Sequence, residues 1–185
     1  EALINGVKDA TALVSLLSTN VDKDVIDSGK NLKIIANYGA GFNNVDIDYA
    51  REKGIDVTNT PKASTNATAD LTIGLILSVA RRIVEGDELS RTKGFDGWAP
   101  LFFRGREVSE KTIGIIGLGE IGGAVAKRAR AFDMDVLYTG PHRKEEKERD
   151  IGAKYVDLDT LLENADFITI NACLLYTSPS PRDRG

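Results

Sequence analysis

Apolar residues fall in short runs separated by glycine, proline and polar turns, and runs of strand length alternate with stretches of helical spacing. Residues 12–17 are a first apolar run of strand length. Val21, Val25 and Ile26 then recur at helical spacing over 21–28, with Gly29 as the stop. Residues 32–36 predict a second strand, which runs into the glycine loop Gly39-Ala40-Gly41. Residues 45–53 predict a short helix closed by Gly54, and 55–58 a third strand ended before Pro61. Strands and helices in this alternation predict parallel βαβ units.

The stretch from Ser64 to about Lys93 contains no proline and is apolar on most faces between Leu71 and Val84, which predicts one long, mostly buried helix bridging two units. A glycine- and proline-bearing loop follows to Arg106. A second α/β series comes next. Strands are expected at 112–116, 135–138, 155–156 and 167–170, the last of them buried, and helices at 121–132, 144–150 and 158–164, the last capped by Asp157. The fold class is therefore α/β, in two units divided near residue 64.

Composition narrows the function classes. The net charge of -4 gives no electrostatic footprint for nucleic acid. The most apolar stretch is broken by Thr72, Ser78, Arg81 and Arg82, short of the roughly 18 to 20 apolar residues that span a bilayer. No basic, secretory-type segment opens the chain, and a cytoplasmic location is the expectation. One cysteine excludes an internal disulfide framework and a multi-cysteine zinc site, and no metal is expected. Beyond Ile170 the α/β periodicity stops. The string from Cys173 to Gly185 resembles the translation of a transposase-type sequencing adapter, so 173–185 is expected to be a non-native tail that packs against nothing.

Gly117-Leu118-Gly119-Glu120-Ile121-Gly122 is a G-x-G-x-x-G that follows a predicted strand and opens a predicted helix, the context in which this motif binds a dinucleotide. Gly117 permits the tight turn, Gly119 lets the backbone approach a pyrophosphate, and Gly122 allows close helix–strand packing. The helix N-terminus supplies free N–H groups and a positive dipole end. At the end of the next strand, an acid would hold the ribose 2′-hydroxyl of NAD. Thr139 stands there, 22 residues after Gly117, followed by His142, Arg143 and Lys144. A neutral residue followed by cations suits a 2′-phosphate, so the cofactor expected is NAD(P)(H), leaning toward NADP(H). His142 is the only histidine, and its position at the adenosine end argues against acid–base catalysis.

Four ordered segments resemble the D-isomer-specific 2-hydroxyacid dehydrogenases, and within them glyoxylate/hydroxypyruvate reductases: residues 32–46 with the Gly39-Ala40-Gly41 loop, Val57-Thr58-Asn59-Thr60-Pro61, Thr68-Ala69-Asp70-Leu71 with Ala80-Arg81-Arg82, and the glycine motif. The resemblance implies a partial flavodoxin-like substrate domain at 1–64, lacking its first strand. It also implies a bridging helix and the first half of a Rossmann, doubly wound parallel-sheet cofactor domain at 65–172. By resemblance, the backbone N–H groups around Ala40 and Gly41 hold a substrate carboxylate, with Leu17 facing the same cleft, and Thr68 joins the cofactor-binding residues. The expected partner is a small 2-oxo or 2-hydroxy acid, and the full-length protein is expected to be a homodimer. The family's catalytic Arg, Glu and His fall in later segments, so no catalytic residue is assigned here and the chain by itself is expected to be inactive. The competing reading is a dinucleotide-sensing, corepressor-like interaction protein of the same fold.

Overall fold

The computed structural model describes residues 1–92, 94 and 97–172; the expectation for the tail at 173–185 lies outside them. The chain forms two compact units, Glu1–Ser64 and a second from Thr65 onward.

The first unit runs α1 (Ala2–Val7), β1 (Ala12–Leu16), α2 (Lys23–Ser28), β2 (Ile34–Tyr38), α3 (Ile47–Glu52) and β3 (Asp56–Thr58). Its three strands are parallel in the order β1-β2-β3, with Val14 opposite Ala36 and Ala36 opposite Thr58. Parallel neighbours require crossovers, which α2 and α3 supply. Both helices start at an aspartate whose carboxylate accepts a first-turn N–H, Asp22 from Val25 at 3.1 Å and Asp46 from Tyr49 at 3.0 Å. Val21, Val25, Ile26, Ile35, Val45 and Ala50 form the core between the helices and one face of the sheet. The strand period of two sends Val14, Leu16 and Tyr38 outward, where they are exposed.

The second unit runs α4 (Thr65–Ala80), α5 (Ile83–Thr92), β4 (Thr112–Ile116), α6 (Glu120–Ala131), β5 (Asp135–Thr139), α7 (Glu145–Ile151), β6 (Ala153–Tyr155), α8 (Leu158–Asn164) and β7 (Phe167–Ile170). Among the described residues its four strands are parallel in the order β6-β5-β4-β7. Chain order thus reverses between β4 and β7, the switch point at which doubly wound sheets bind ligands. Ala69 and Ile73 of α4 share a core with Ile113 and Ile115 of β4, Val125 and Ala129 of α6, and Val136 and Tyr138 of β5. Arg128 on α6 reaches Asp70 on α4 at 2.6 Å. Among the described residues no helix is long and apolar enough to cross a membrane.

Three sequence expectations are corrected. The long bridging helix is two helices, because Arg82 takes a left-handed φ of 56°. The Ala80 carbonyl accepts the Arg106 N–H at 2.7 Å, so the loop closes the end of α4. Gly105 lies against that carbonyl, where a Cβ would come within 2.6 Å of the oxygen. The helical stretch is also not mostly buried: Leu71, Leu75, Val79, Ile83 and Val84 are exposed, and α5 buries no residue. Periodicity identified the helical residues, but a stretch apolar all round does not say which face the core takes. Nor is β7 a buried strand. It is an edge of the described sheet, with Ile168 44% and Ile170 73% exposed. Smaller shifts move β6 to Ala153–Tyr155 and include Thr139 in β5.

Candidate functional site

In the first unit the loop after β2 is held by its carbonyls. The Gly39 carbonyl accepts from the Thr60 N–H at 2.9 Å, the Ala40 carbonyl from Asn59 Nδ2 at 2.8 Å, and the Gly41 carbonyl from Asn37 Nδ2 at 2.9 Å. Three consecutive acceptors are turned back onto the protein, while the N–H groups of Ala40 and Gly41 have no acceptor among the described residues. Unpaired N–H donors fixed in this way suit an anion. Asn37 is the centre of the support. It is 2% exposed, accepts from Ser15 Oγ at 2.8 Å and donates to Asn44 Oδ1 at 3.0 Å, while Asn44 Nδ2 donates to the Leu16 and Thr19 carbonyls. The two amides thereby tie the end of β1 to the loop after β2. Leu17 is exposed and lies over the loop, where a Cβ on Gly39 would meet its side chain at 2.5 Å. A side chain at 39 would need the exposed Leu17 side chain to move aside.

In the second unit the glycine motif lies at the C-terminal end of β4, beside the switch point. Gly117 has a φ of 98°, and a Cβ there would come within 2.8 Å of the Ala172 nitrogen. Its N–H donates to the Thr139 carbonyl at 2.9 Å, which places the end of β5 beside the turn. Gly119 is the N-cap of α6, makes no side-chain cap, and has open space where a Cβ would be. A Cβ on Gly122 would lie well under 3.0 Å from the Gly117 carbonyl oxygen, so this glycine packs the helix onto the turn itself as well as onto Ile115. The N–H groups of Leu118, Gly119, Ile121 and Gly122 have no protein acceptor among the described residues. The Leu118 side chain is buried in the core, so only its backbone faces the loop. An anion at this uncapped N-terminus meets unpaired donors and the positive end of the helix dipole. Glu120 sits in the same first turn and is paired with Lys147 at 3.1 Å; Lys147 also donates to the Gly119 carbonyl at 2.9 Å. Thr68 is half-buried in α4, and its carbonyl accepts from Thr72 Oγ1.

The residues after β5 are arranged differently from a row of free cations. Thr139 ends the strand and His142 is exposed. Arg143 grips Glu148 with two bonds, Nε to Oε1 and Nη2 to Oε2, each 2.9 Å. Glu148 Oε1 also accepts from Tyr138 Oη at 2.6 Å, and Tyr138 Oη accepts the Lys144 N–H at 2.7 Å. Tyr138 is 1% exposed, with its ring edge-on to Tyr155 at a centroid distance of 5.3 Å. Burial, then the Glu148 carboxylate, push the Tyr138 phenol up to about 12. The Arg143 guanidinium, then the Tyr138 hydroxyl, hold the Glu148 carboxyl down at about 2. A carboxyl depressed on folding stabilises the folded state above its unfolded pKa, near 4.5, and loses that contribution as pH falls toward about 2. A carbon-detected NMR titration is therefore expected to show Glu148 ionised until close to pH 2, and Arg143→Ala to return its midpoint toward the ordinary glutamate range.

Sequence reasoning found both glycine loops but not their supports. Asn37 and Asn44 lie inside a quoted segment without a role, and only their flanking of Gly39-Ala40-Gly41 hints at one. Tyr138, Lys147 and Glu148 carried no signal beyond an acid five residues after Arg143. Among the described residues no group of three potential metal ligands comes together.

Residues 73–178 match the family model described as the D-isomer specific 2-hydroxyacid dehydrogenase NAD-binding domain. A Staphylococcus aureus (strain MRSA252) protein named "Putative 2-hydroxyacid dehydrogenase" is 89% identical over 172 residues, which cover 93% of this chain and 54% of that protein. The chain thus spans about half the length of the curated relatives it matches. The crystal structure of the TT0316 protein from Thermus thermophilus superposes with a TM-score of 0.82 at 39% identity, covering 97% of this chain and 55% of that one. D-lactate dehydrogenase from Aquifex aeolicus, solved with NAD and lactic acid, superposes with a TM-score of 0.80 at 29% identity, covering 91% of this chain and 50% of that one.

Proposed function

The chain belongs to the D-isomer specific 2-hydroxyacid dehydrogenase family, and from that premise we propose that its protein transfers a hydride between NAD(P)H and a small 2-oxo acid of the glyoxylate or hydroxypyruvate kind. The observation that carries the cofactor half is the N-terminus of α6, which has no side-chain cap, lies at the reversal of strand order and carries four N–H groups without an acceptor among the described residues. Leu118, Gly119, Ile121 and Gly122 fit a pyrophosphate through their N–H groups, Gly117 shapes the turn that presents them, and Thr139, His142, Arg143 and Lys144 line the adenosine end. When bound, the reduced nicotinamide supplies the hydride. The substrate half rests on Ala40 and Gly41, whose free N–H groups suit a carboxylate, with Leu17 as an apolar neighbour. His142, the only imidazole, lies on the adenosine side and is given no proton-transfer role. Residues 1–64 then serve the acid, 65–172 serve the dinucleotide, and 173–185 are taken as non-native. The proposal includes a homodimer in a cytoplasmic setting, the former supported by the exposed apolar side chains Ile83, Val84, Trp98, Leu101 and Phe102 on and after α5.

The test is calorimetric titration of the full-length protein with NADPH and NADH. NADPH is expected to bind at least as tightly as NADH. Thr139→Asp is expected to move the ratio of affinities toward NADH by roughly tenfold or more, because a carboxylate accepts from the 2′-hydroxyl and repels a 2′-phosphate. A full-length protein that binds neither nucleotide overturns the cofactor assignment.

A further inference from the structure

We infer that Glu148 determines cofactor specificity by occupying the fork of Arg143, which keeps the adenosine end open to both NADH and NADPH; this rests on the dinucleotide reading above. An arginine recognises a phosphate best with two parallel N–H bonds from one edge of the guanidinium. In this chain the Nε–Nη2 edge of Arg143 already makes both of its bonds to Glu148. A 2′-phosphate must displace that carboxylate or accept only the outer N–H groups. It must also approach a site where the arginine charge is cancelled by an adjacent negative one.

The carboxylate is not free to swing away. Tyr138 Oη donates to its Oε1 from a buried position, and the Glu148 N–H is bonded to the Lys144 carbonyl at 2.9 Å. Its side chain is 12% exposed against 58% for Arg143, so the acid is the fixed member and the guanidinium the accessible one. The preceding helical residue, Lys147, is committed to Glu120 and the Gly119 carbonyl. Helix α7 therefore braces the adenosine end and the phosphate loop together, and these two side chains leave little net positive charge for a 2′-phosphate.

The experiment is calorimetry on the full-length protein with two probes that carry no nicotinamide, 2′,5′-ADP and 5′-AMP. The wild-type affinities are expected to lie within a few-fold of each other. Glu148→Gln keeps an oxygen for Tyr138 and Arg143 but removes the charge, and it is expected to raise the 2′,5′-ADP to 5′-AMP ratio roughly tenfold. A residue that merely supported the fold would weaken both probes alike and leave the ratio unmoved. Tyr138→Phe, which unpins the carboxylate at nearly constant volume, is expected to raise the ratio by a smaller factor, and it carries the test if Glu148→Gln does not fold. Arg143→Ala is expected to lower the ratio. If Arg143→Ala lowers it while neither other variant raises it, the inference is overturned and the dinucleotide reading stands. If 5′-AMP does not bind, or Arg143→Ala leaves the ratio unchanged, the assignment of this end to the ribose fails and the inference fails with it.

Discussion

Replacing Gly122 with alanine is expected to lower the melting temperature of the second unit by on the order of 10 °C and to abolish dinucleotide binding. The added methyl would lie well under 3.0 Å from the Gly117 carbonyl oxygen, 3.1 Å from the Gly117 carbonyl carbon and 3.3 Å from Ile115 Cγ2. Two of these three atoms are backbone, and the third belongs to a fully buried residue. None can move aside as the tip of an exposed side chain would. Overpacking of this kind costs about 3 kcal/mol, the upper part of its usual range. For a unit of about 100 residues, a loss of that size lowers the melting temperature by at least about 10 °C. Gly119→Ala is the matched control, since a Cβ there meets nothing within 4 Å. It is expected to melt within a few degrees of wild type while binding NADH at least roughly tenfold more weakly, because the methyl occupies the approach to the pyrophosphate. Calorimetric melting and nucleotide titration of both variants read the contrast. Equal melting temperatures for Gly122→Ala and wild type would remove the packing role argued for this glycine.

That contrast also marks what could be read from the sequence. The spacing of G-x-G-x-x-G after an apolar run located the turn, and the bounds of β4 and α8 match their expected ones. Such signals are local: a strand period, an Asp157 cap, a glycine where a turn must bend. The break between α4 and α5 was not local. It depends on Arg106 and Gly105 meeting the Ala80 carbonyl from about 25 residues further along, and no pattern within the helix encodes that. The same holds for the adenosine end. Arg143 and Lys144 read as two cations in sequence, yet folding pairs the first with Glu148 and uses the backbone of the second to satisfy Tyr138. Charge counted along a chain is not charge presented at a site, because α7 returns an acid to the loop that precedes it.

The carboxylate loop gives the second large effect. Asn37→Leu is expected to destabilise the first unit by about 3 kcal/mol and to release the loop at Gly39-Ala40-Gly41. Leucine is close to asparagine in shape, so the change isolates the hydrogen bonds. It strands the Ser15 hydroxyl, which is 1% exposed, and leaves the Gly41 carbonyl without its donor. It also removes both bonds that Asn44 makes to Asn37, although Asn44 keeps the Leu16 and Thr19 carbonyls. A buried polar group left unpaired costs roughly 1–3 kcal/mol; the Ser15 hydroxyl bears that cost in full and the part-buried Gly41 carbonyl a share of it, which together come to about 3 kcal/mol. The Gly39 and Ala40 carbonyls keep their bonds to Thr60 and Asn59, so the loop loosens at Gly41 and stays tethered at its start. Asn37→Asp separates the two functions of the amide. Its carboxylate can still accept from Ser15 and Asn44, but it sets an acceptor against the Gly41 carbonyl. Hydrogen exchange at Val45, whose N–H donates to the Phe42 carbonyl at 3.0 Å, is the measurement. Both variants are expected to exchange faster there than wild type, with Asn37→Asp changing the loop more than the Ser15 environment. Wild-type exchange at Val45 in both would show that Asn59 and Thr60 hold the loop without Asn37.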